Sequence, residues 1–180
     1  MRMSLIAVIA SVCAASLHAV TSEGPKPAPL TSVSTVDLKR YIGKWYEIAR
    51  YPNRFQRDCA SDTTAEYELK RNGKVRVVNT CRKSDGVAKK ASGTAKVVDR
   101  SNARLKVTFF WPFYGDYWII GLDPEYRWAV VGEPARKYLW ILSRTPHMLE
   151  ADYQQAVEQA RAAGYDPQRL VKTPQSASVK

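Results

Sequence analysis

Tyr41-Ile42-Gly43-Lys44-Trp45-Tyr46-Glu47-Ile48-Ala49-Arg50-Tyr51-Pro52 is the stretch from which the rest of the chain can be read. Asp37-Leu38-Lys39-Arg40 ahead of it forms a polar turn, Gly43 lets the backbone bend sharply, and the aromatic run that follows favours a strand. Alternation along that strand places Trp45, Glu47, Ala49 and Tyr51 on one face and Tyr46, Ile48 and Arg50 on the other. Neither face is wholly polar, so the strand needs cover on both sides.

Seven more strand-like segments follow. Residues 63–70 and 74–82 flank Arg71-Asn72-Gly73, and a three-residue loop with Gly73 left-handed sets Leu69 against Val75, Tyr67 against Val77 and Ala65 against Asn79. A two-residue Asn-Gly turn would set Leu69 opposite Arg76, so the first register is preferred. Residues 90–99 present Gly93, Ala95 and Val97 on one face, and 104–110 alternate Leu105, Val107 and Phe109 against Arg104, Lys106 and Thr108. An aromatic loop at 111–116 leads to a strand at 117–122, a turn at Asp123-Pro124-Glu125-Tyr126, and strands at 127–132 and 138–143, with Trp128 opposite Gly121. Hairpin-length connections without crossover helices argue for an antiparallel meander, and closing it removes both edges. Leu149, Tyr153, Ala156, Val157 and Ala160 then recur at helical spacing up to Gly164, and Leu170-Val171-Lys172 adds a short strand. The expected fold is all-β, an eight-stranded antiparallel up-and-down β-barrel with one C-terminal α-helix packed outside.

Gly43-x-Trp45 is followed in order by Asp123-Pro124-Glu125-Tyr126-Arg127-Trp128-Ala129-Val130-Val131-Gly132 and by Ile141-Leu142-Ser143-Arg144-Thr145-Pro146. Together these resemble the signature regions of the lipocalins, and their wording is similar to the bacterial outer-membrane, apolipoprotein D-like group. The resemblance runs from about Val36 to Gln175. It implies the same barrel, a ligand site inside it, and an Arg144 side chain lying across the Trp45 ring, where cation–π attraction of about 0.5–2 kcal/mol would seal one end.

One early Arg2, an apolar run over residues 5–15 broken by Ser11, and small residues up to Ala19 make 1–19 a signal peptide. Cleavage near Ser16 or after Ala19 would release the product. Acylation at Cys13 after Ala10-Ser11-Val12, which the resemblance suggests, would anchor it. Release is preferred because Val12 is bulky and the apolar run ahead of Cys13 is short. Residues 20–35, with Pro25, Pro27 and Pro29, then form a flexible tether, 36–175 the barrel domain and 176–180 a disordered tail. Removing Cys13 leaves Cys59 and Cys81, an even pair in an exported chain, expected to form a disulfide over the entrance rather than two free thiols. The net charge of +11 points to an anionic partner.

In an up-and-down barrel alternate connections share an end. Gly43, Trp45, Asp123, Tyr126 and Arg144 fall at a floor, and the other connections at a mouth. Strand parity assigns the cavity to Ala49 and Tyr51 on the first strand, Tyr67, Val77 and Asn79 on the first hairpin, and Val107, Phe109, Tyr114 and Ile119 on the middle strands. Trp140 and Leu142 join them if Arg144 points inward, the alternative being that Trp140 is filled core. Arg54, Arg57, Arg82 and Arg136 would form a basic rim, unless they are only solvated loop residues.

Apolar depth under a cationic rim suits a fatty acid or lysophospholipid, and about a dozen buried methylenes would contribute ~10 kcal/mol gross. The expected role is non-catalytic binding and transport of such lipids in the bacterial cell envelope, exported to the periplasm with peripheral or acyl-anchored contact to the outer membrane. Neither cofactor, metal nor nucleic acid is expected. The only histidine past the signal segment, His147, falls near the floor, and no nucleophile–base set or metal-ligand spacing is evident. Alternatives are a polyanion- or membrane-surface-binding module and a carrier of another small hydrophobic ligand.

Overall fold

The computed structural model describes residues 28–176. The signal segment, Cys13, residues 20–27 of the expected tether and residues 177–180 of the expected tail lie outside the described residues. Within them the chain runs α1 (Leu38–Tyr41), β1 (Gly43–Arg50), β2 (Ser61–Leu69), β3 (Val75–Arg82), β4 (Ala88–Val97), β5 (Arg104–Phe110), β6 (Phe113–Leu122), β7 (Trp128–Gly132), β8 (Leu139–Ser143), α2 (Glu150–Ala162) and β9 (Val171–Lys172). Asp37 caps α1 by accepting from the Lys39 N–H at 2.9 Å, and Gly43, at φ +97°, turns the chain into β1.

The strands pair antiparallel from β2 to β8, and β1 pairs with both β8 and β2 to close the barrel. Where β1 has parted from β2, β9 takes the free edge, setting Ala49 against Lys172 and Arg50 against Val171. The β2–β3 register is the one that keeps apolar opposite apolar: Leu69 faces Val75, Tyr67 faces Val77 and Ala65 faces Asn79, with Gly73 at φ +75°.

Three expectations are corrected. The aromatic segment after β5 is not a loop: β6 begins at Phe113, Phe110 pairs with Phe113, and only Trp111-Pro112 turns the chain. A register shift between Ile119 and Gly121 sets Gly121 against Val130 and Leu122 against Ala129, so Trp128 lies beyond Leu122 and not opposite Gly121. The described part of the tether, from residue 28, is packed down: Leu30 is buried, the Val33 N–H donates to Ile119 O at 2.9 Å, and the Val36 N–H donates to Ser101 O at 2.8 Å. Its apolar residues and unpaired backbone groups find partners on the barrel wall, which outweighs the flexibility its composition suggests.

Two cores result. One fills the lower barrel around Trp45, Val75, Ala95, Leu105, Ile119 and Val131. The other lies outside, where α2 lays Ala156, Val157 and Ala160 on Ile120, Val130, Leu139 and Ile141. The small side chains on that face of α2 let the helix sit close to the sheet.

Candidate functional site

At the floor Arg144 lies 3.8 Å above the centre of the Trp45 ring. Its guanidinium donates to the carbonyls of Ile42 (3.1 Å), Lys44 (3.1 Å) and Tyr41 (3.2 Å), and to that of Arg40. These are largely the orphan carbonyls at the C-terminal end of α1, so one cation both caps a helix and covers an indole. The Trp45 Nε1–H donates to Tyr41 O at 2.8 Å. Gly43 leaves room here, since a Cβ would lie 3.4 Å from Arg144 Nη1. Asp123 accepts from the Arg127 backbone and guanidinium, and the Tyr126 hydroxyl accepts from the Asp37 N–H at 2.8 Å. All five residues assigned to the floor are there.

Above the floor three phenols converge: Tyr117 lies within hydrogen-bonding distance of Tyr41 (2.8 Å) and Tyr67 (2.9 Å). Burial pushes the Tyr67 phenol up to about 12 and raises Tyr41 and Tyr117 well above the ordinary tyrosine value, so the trio is neutral at physiological pH. The space among Leu38, Tyr67, Val107 and Tyr117 is about 10 Å³, room for no more than one water.

The strand that opened the sequence reading breaks its alternation here. Between Glu47 and Ala49 the β1–β8 register shifts: Glu47 faces Leu142, Ala49 faces Ile141, and Arg50 faces Trp140. The bulged residue reverses side-chain parity. Ala49 and Tyr51, assigned to the cavity, therefore lie outside, in the core under α2, where the Tyr51 hydroxyl donates to Asp166 O at 2.7 Å. Arg50 turns inward instead. Its Nη1 donates to Glu47 Oε1 at 2.8 Å and to Thr173 Oγ1 at 2.9 Å, and the Thr173 hydroxyl donates to Glu47 Oε1 at 2.6 Å. Gln56, from the turn after β1, donates to the other Glu47 oxygen and accepts from Trp140 Nε1–H at 3.0 Å. Alternation alone could not find this buried polar knot, and its one sequence trace is an acid, Glu47, on an otherwise apolar face.

The rest of the interior divides by height. Val77, Ile119 and Leu142 point inward as assigned but are covered by the packed lower half. Asn79 and Trp140 point inward higher up and are half-buried, and Ala91, Phe109 and Gly115 stay exposed, whereas Tyr67 and Val107, also inward, line the small space above the floor. The Asn79 Oδ1 is buried there without a hydrogen-bond partner. Tyr114 is a further correction: it shares the outward parity of Asp116, and Lys96 Nζ sits 4.9 Å from its ring centre on the outer wall.

Of the rim, Arg54 and Arg57 are exposed at the mouth and have no carboxylate within ion-pairing distance among the described residues. Arg82 lies on the outer face, bound to Asp62 (3.3 Å) and to Gly86 O (2.9 Å), because Cys81 takes the inward position next to it. Arg136, at φ +54°, is directed back to the end of α2, donating to Ala163 O (2.8 Å) and Ala28 O (2.6 Å). Orphan carbonyls at a helix terminus hold it away from the opening. Cys59 and Cys81 are joined, with Cα atoms 5.6 Å apart, tying the loop after β1 to the top of β3. Among the described residues no cluster of His, Cys, Asp or Glu could hold a metal ion.

A closed eight-stranded meander with an external helix and a Trp–Arg floor is matched over residues 36–175 by the family model described as a lipocalin-like domain. The chain belongs to the lipocalin-like family. This lipocalin is 44% identical over 153 residues to temperature-induced lipocalin-1 of Arabidopsis thaliana, covering 80% of this chain and 82% of the relative. It is 43% identical over 171 residues to the outer membrane lipoprotein Blc of Citrobacter freundii, covering 94% and 96%. Insecticyanin from the tobacco hornworm Manduca sexta shares the fold at a TM-score of 0.68 and 19% identity, over 84% of this chain and 87% of that one. In this lipocalin the interior carries two characters on one set of strands: a lower half sealed by its own side chains, and an upper half with apolar walls, one unsatisfied acceptor and access to solvent.

Proposed function

We propose that this lipocalin binds and transports single-chain amphipathic lipids, fatty acids or lysophospholipids, in the bacterial cell envelope. The acyl chain enters the upper barrel beside Trp140 and Phe109, above Tyr67 and Val107, and the anionic group stays at the mouth near Arg54 and Arg57. One observation carries this: inward-facing apolar residues of the upper half remain open to solvent although they belong to a closed barrel. A stretch of inward apolar wall left uncovered on β4, β5 and β6 is what a small hydrophobic occupant would bury. Each methylene buried against that wall contributes ~0.8 kcal/mol of gross transfer free energy, and the mouth cations add charge-assisted contacts. The family supports a binding rather than catalytic role, and relatives named as outer membrane lipoproteins support an envelope location.

The test is native mass spectrometry of the protein purified from its own envelope, followed by lipid extraction. Co-purification of one single-chain lipid per chain, displaced by added long-chain acid, is the expected result. A protein that emerges empty and leaves Trp140 emission unchanged on titration with a long-chain acid overturns it. The net charge of +11 favours a second reading, binding of polyanions to the outside. Affinity that collapses with added salt would select that reading, whereas an enclosed chain is nearly indifferent to salt.

A further inference from the structure

Exposed aromatic residues on this molecule are concentrated at one place. At the tip of the β5–β6 hairpin Phe110, Trp111 and Phe113 are 76%, 78% and 72% exposed, and Phe109 and Tyr114 flank them at 46% and 43%. Phe55 and Val87, on neighbouring mouth connections, are also exposed. A two-residue hairpin turn requires no apolar side chain, and turns in soluble proteins are ordinarily polar. The barrel interior does not explain these rings either, because Phe110, Trp111 and Phe113 stand clear of both cores.

The charge around them has one sign. Asp58, Asp62 and Asp85 at this end are engaged by Lys89, Arg82 and Lys83. Glu133 is buried and accepts from the N–H groups of its own turn. Arg54, Arg57 and Lys137 are left exposed without a carboxylate partner among the described residues. A second copy docking by the same face would set like charges against one another. A surface offering anionic groups in front of an apolar layer satisfies both features at once, and aromatic rings settle at that boundary.

We propose that the β5–β6 hairpin is a membrane wedge: Phe110, Trp111 and Phe113 enter the acyl boundary of an anionic phospholipid bilayer while Arg54, Arg57 and Lys137 meet its phosphates. The barrel then opens toward the lipid. The wedge lies on the outside of the mouth and does not depend on what the barrel holds.

The test uses exported full-length protein with Cys13→Ser throughout, so that no acyl chain contributes, and vesicles of phosphatidylethanolamine with phosphatidylglycerol against vesicles of phosphatidylcholine. The protein should sediment with the anionic vesicles, and the triple variant F110S/W111S/F113S should bind about tenfold or more weakly with an unchanged unfolding midpoint, since these side chains support no packing. Arg54→Gln with Arg57→Gln should weaken binding about thirtyfold and flatten its salt dependence. The emission lost in Trp111→Phe should be blue-shifted on vesicles and quenched by bromine placed on the acyl chains. Absence of vesicle binding, or binding untouched by the triple variant, overturns the wedge. So does a concentration-dependent dimer that the triple variant dissociates, which would make the patch an interface between copies.

Discussion

The base of this barrel and its mouth are cut from the same strands and treat polar atoms in opposite ways. At the base the Arg144 donors, the Trp45 Nε1–H and three phenols all find partners within the protein. Toward the mouth Asn79 Oδ1 and Arg50 Nε are buried without one, cations lack carboxylates, and aromatic rings face solvent. The base satisfies itself, Trp128 Nε1 on its outer wall excepted, and the mouth is incomplete. Substitutions at the base should therefore cost stability and leave recognition alone, whereas those at the mouth should do the reverse.

The largest effect is expected from Trp45→Ala, which removes a fully buried indole and the platform for Arg144, at about 3–5 kcal/mol in urea unfolding. A cost below ~1 kcal/mol would break the distinction. Glu47→Gln comes next, because it leaves Arg50 in the interior without its anion, at about 3 kcal/mol. Adding Arg50→Met should recover much of that loss, and if it recovers none the knot is not held by its ion pair. Alkali should follow. The Tyr41, Tyr67 and Tyr117 phenols have values raised by burial in the folded state, so their contribution is complete below the unfolded value of 10.0 and is lost as the pH rises toward and past about 12. Burial also pushes the Tyr165 phenol, outside the barrel, up to about 12, so ultraviolet titration should find at least four of the ten tyrosines silent until the barrel unfolds. The smallest effect on stability, under ~1 kcal/mol, belongs to Trp140→Ala in the half-open wall, which should nevertheless weaken binding of a long-chain acid about tenfold. If affinity were unchanged, the open half would not be where the chain lies.

How far these features could be read without coordinates depended on whether the chain kept its period. The β2–β3 hairpin kept it, so matching Tyr67 to Val77 was enough to choose the loop, and on β8 the inward parity of Trp140 and Leu142 followed from Arg144. On β1 one bulged residue moved Ala49 and Tyr51 to the outer core and brought Arg50 inside. Nothing local marks that residue, because Ala49 and Tyr51 suit a helix-covered outer wall as well as an apolar cavity. The rim was misread for a different reason. Arg82 and Arg136 do lie at the mouth end, but Asp62 and the carbonyl of Ala163 are partners that only the fold brings near. The filling of the lower barrel was likewise invisible, since inward parity says nothing about whether opposite walls meet.

The placement of β9 has a consequence for how the molecule is assembled. β1 emerges first from the ribosome, yet its edges are completed by β8, by β9, and by Thr173, whose bond to Glu47 spans 126 positions. Contacts of such separation form late, so the leading strand must wait with one edge unsatisfied until almost the whole polypeptide is available. Shortening the chain by a few residues before Thr173 would remove little mass and still leave the cylinder unlatched, with a carboxylate and a guanidinium exposed at the seam.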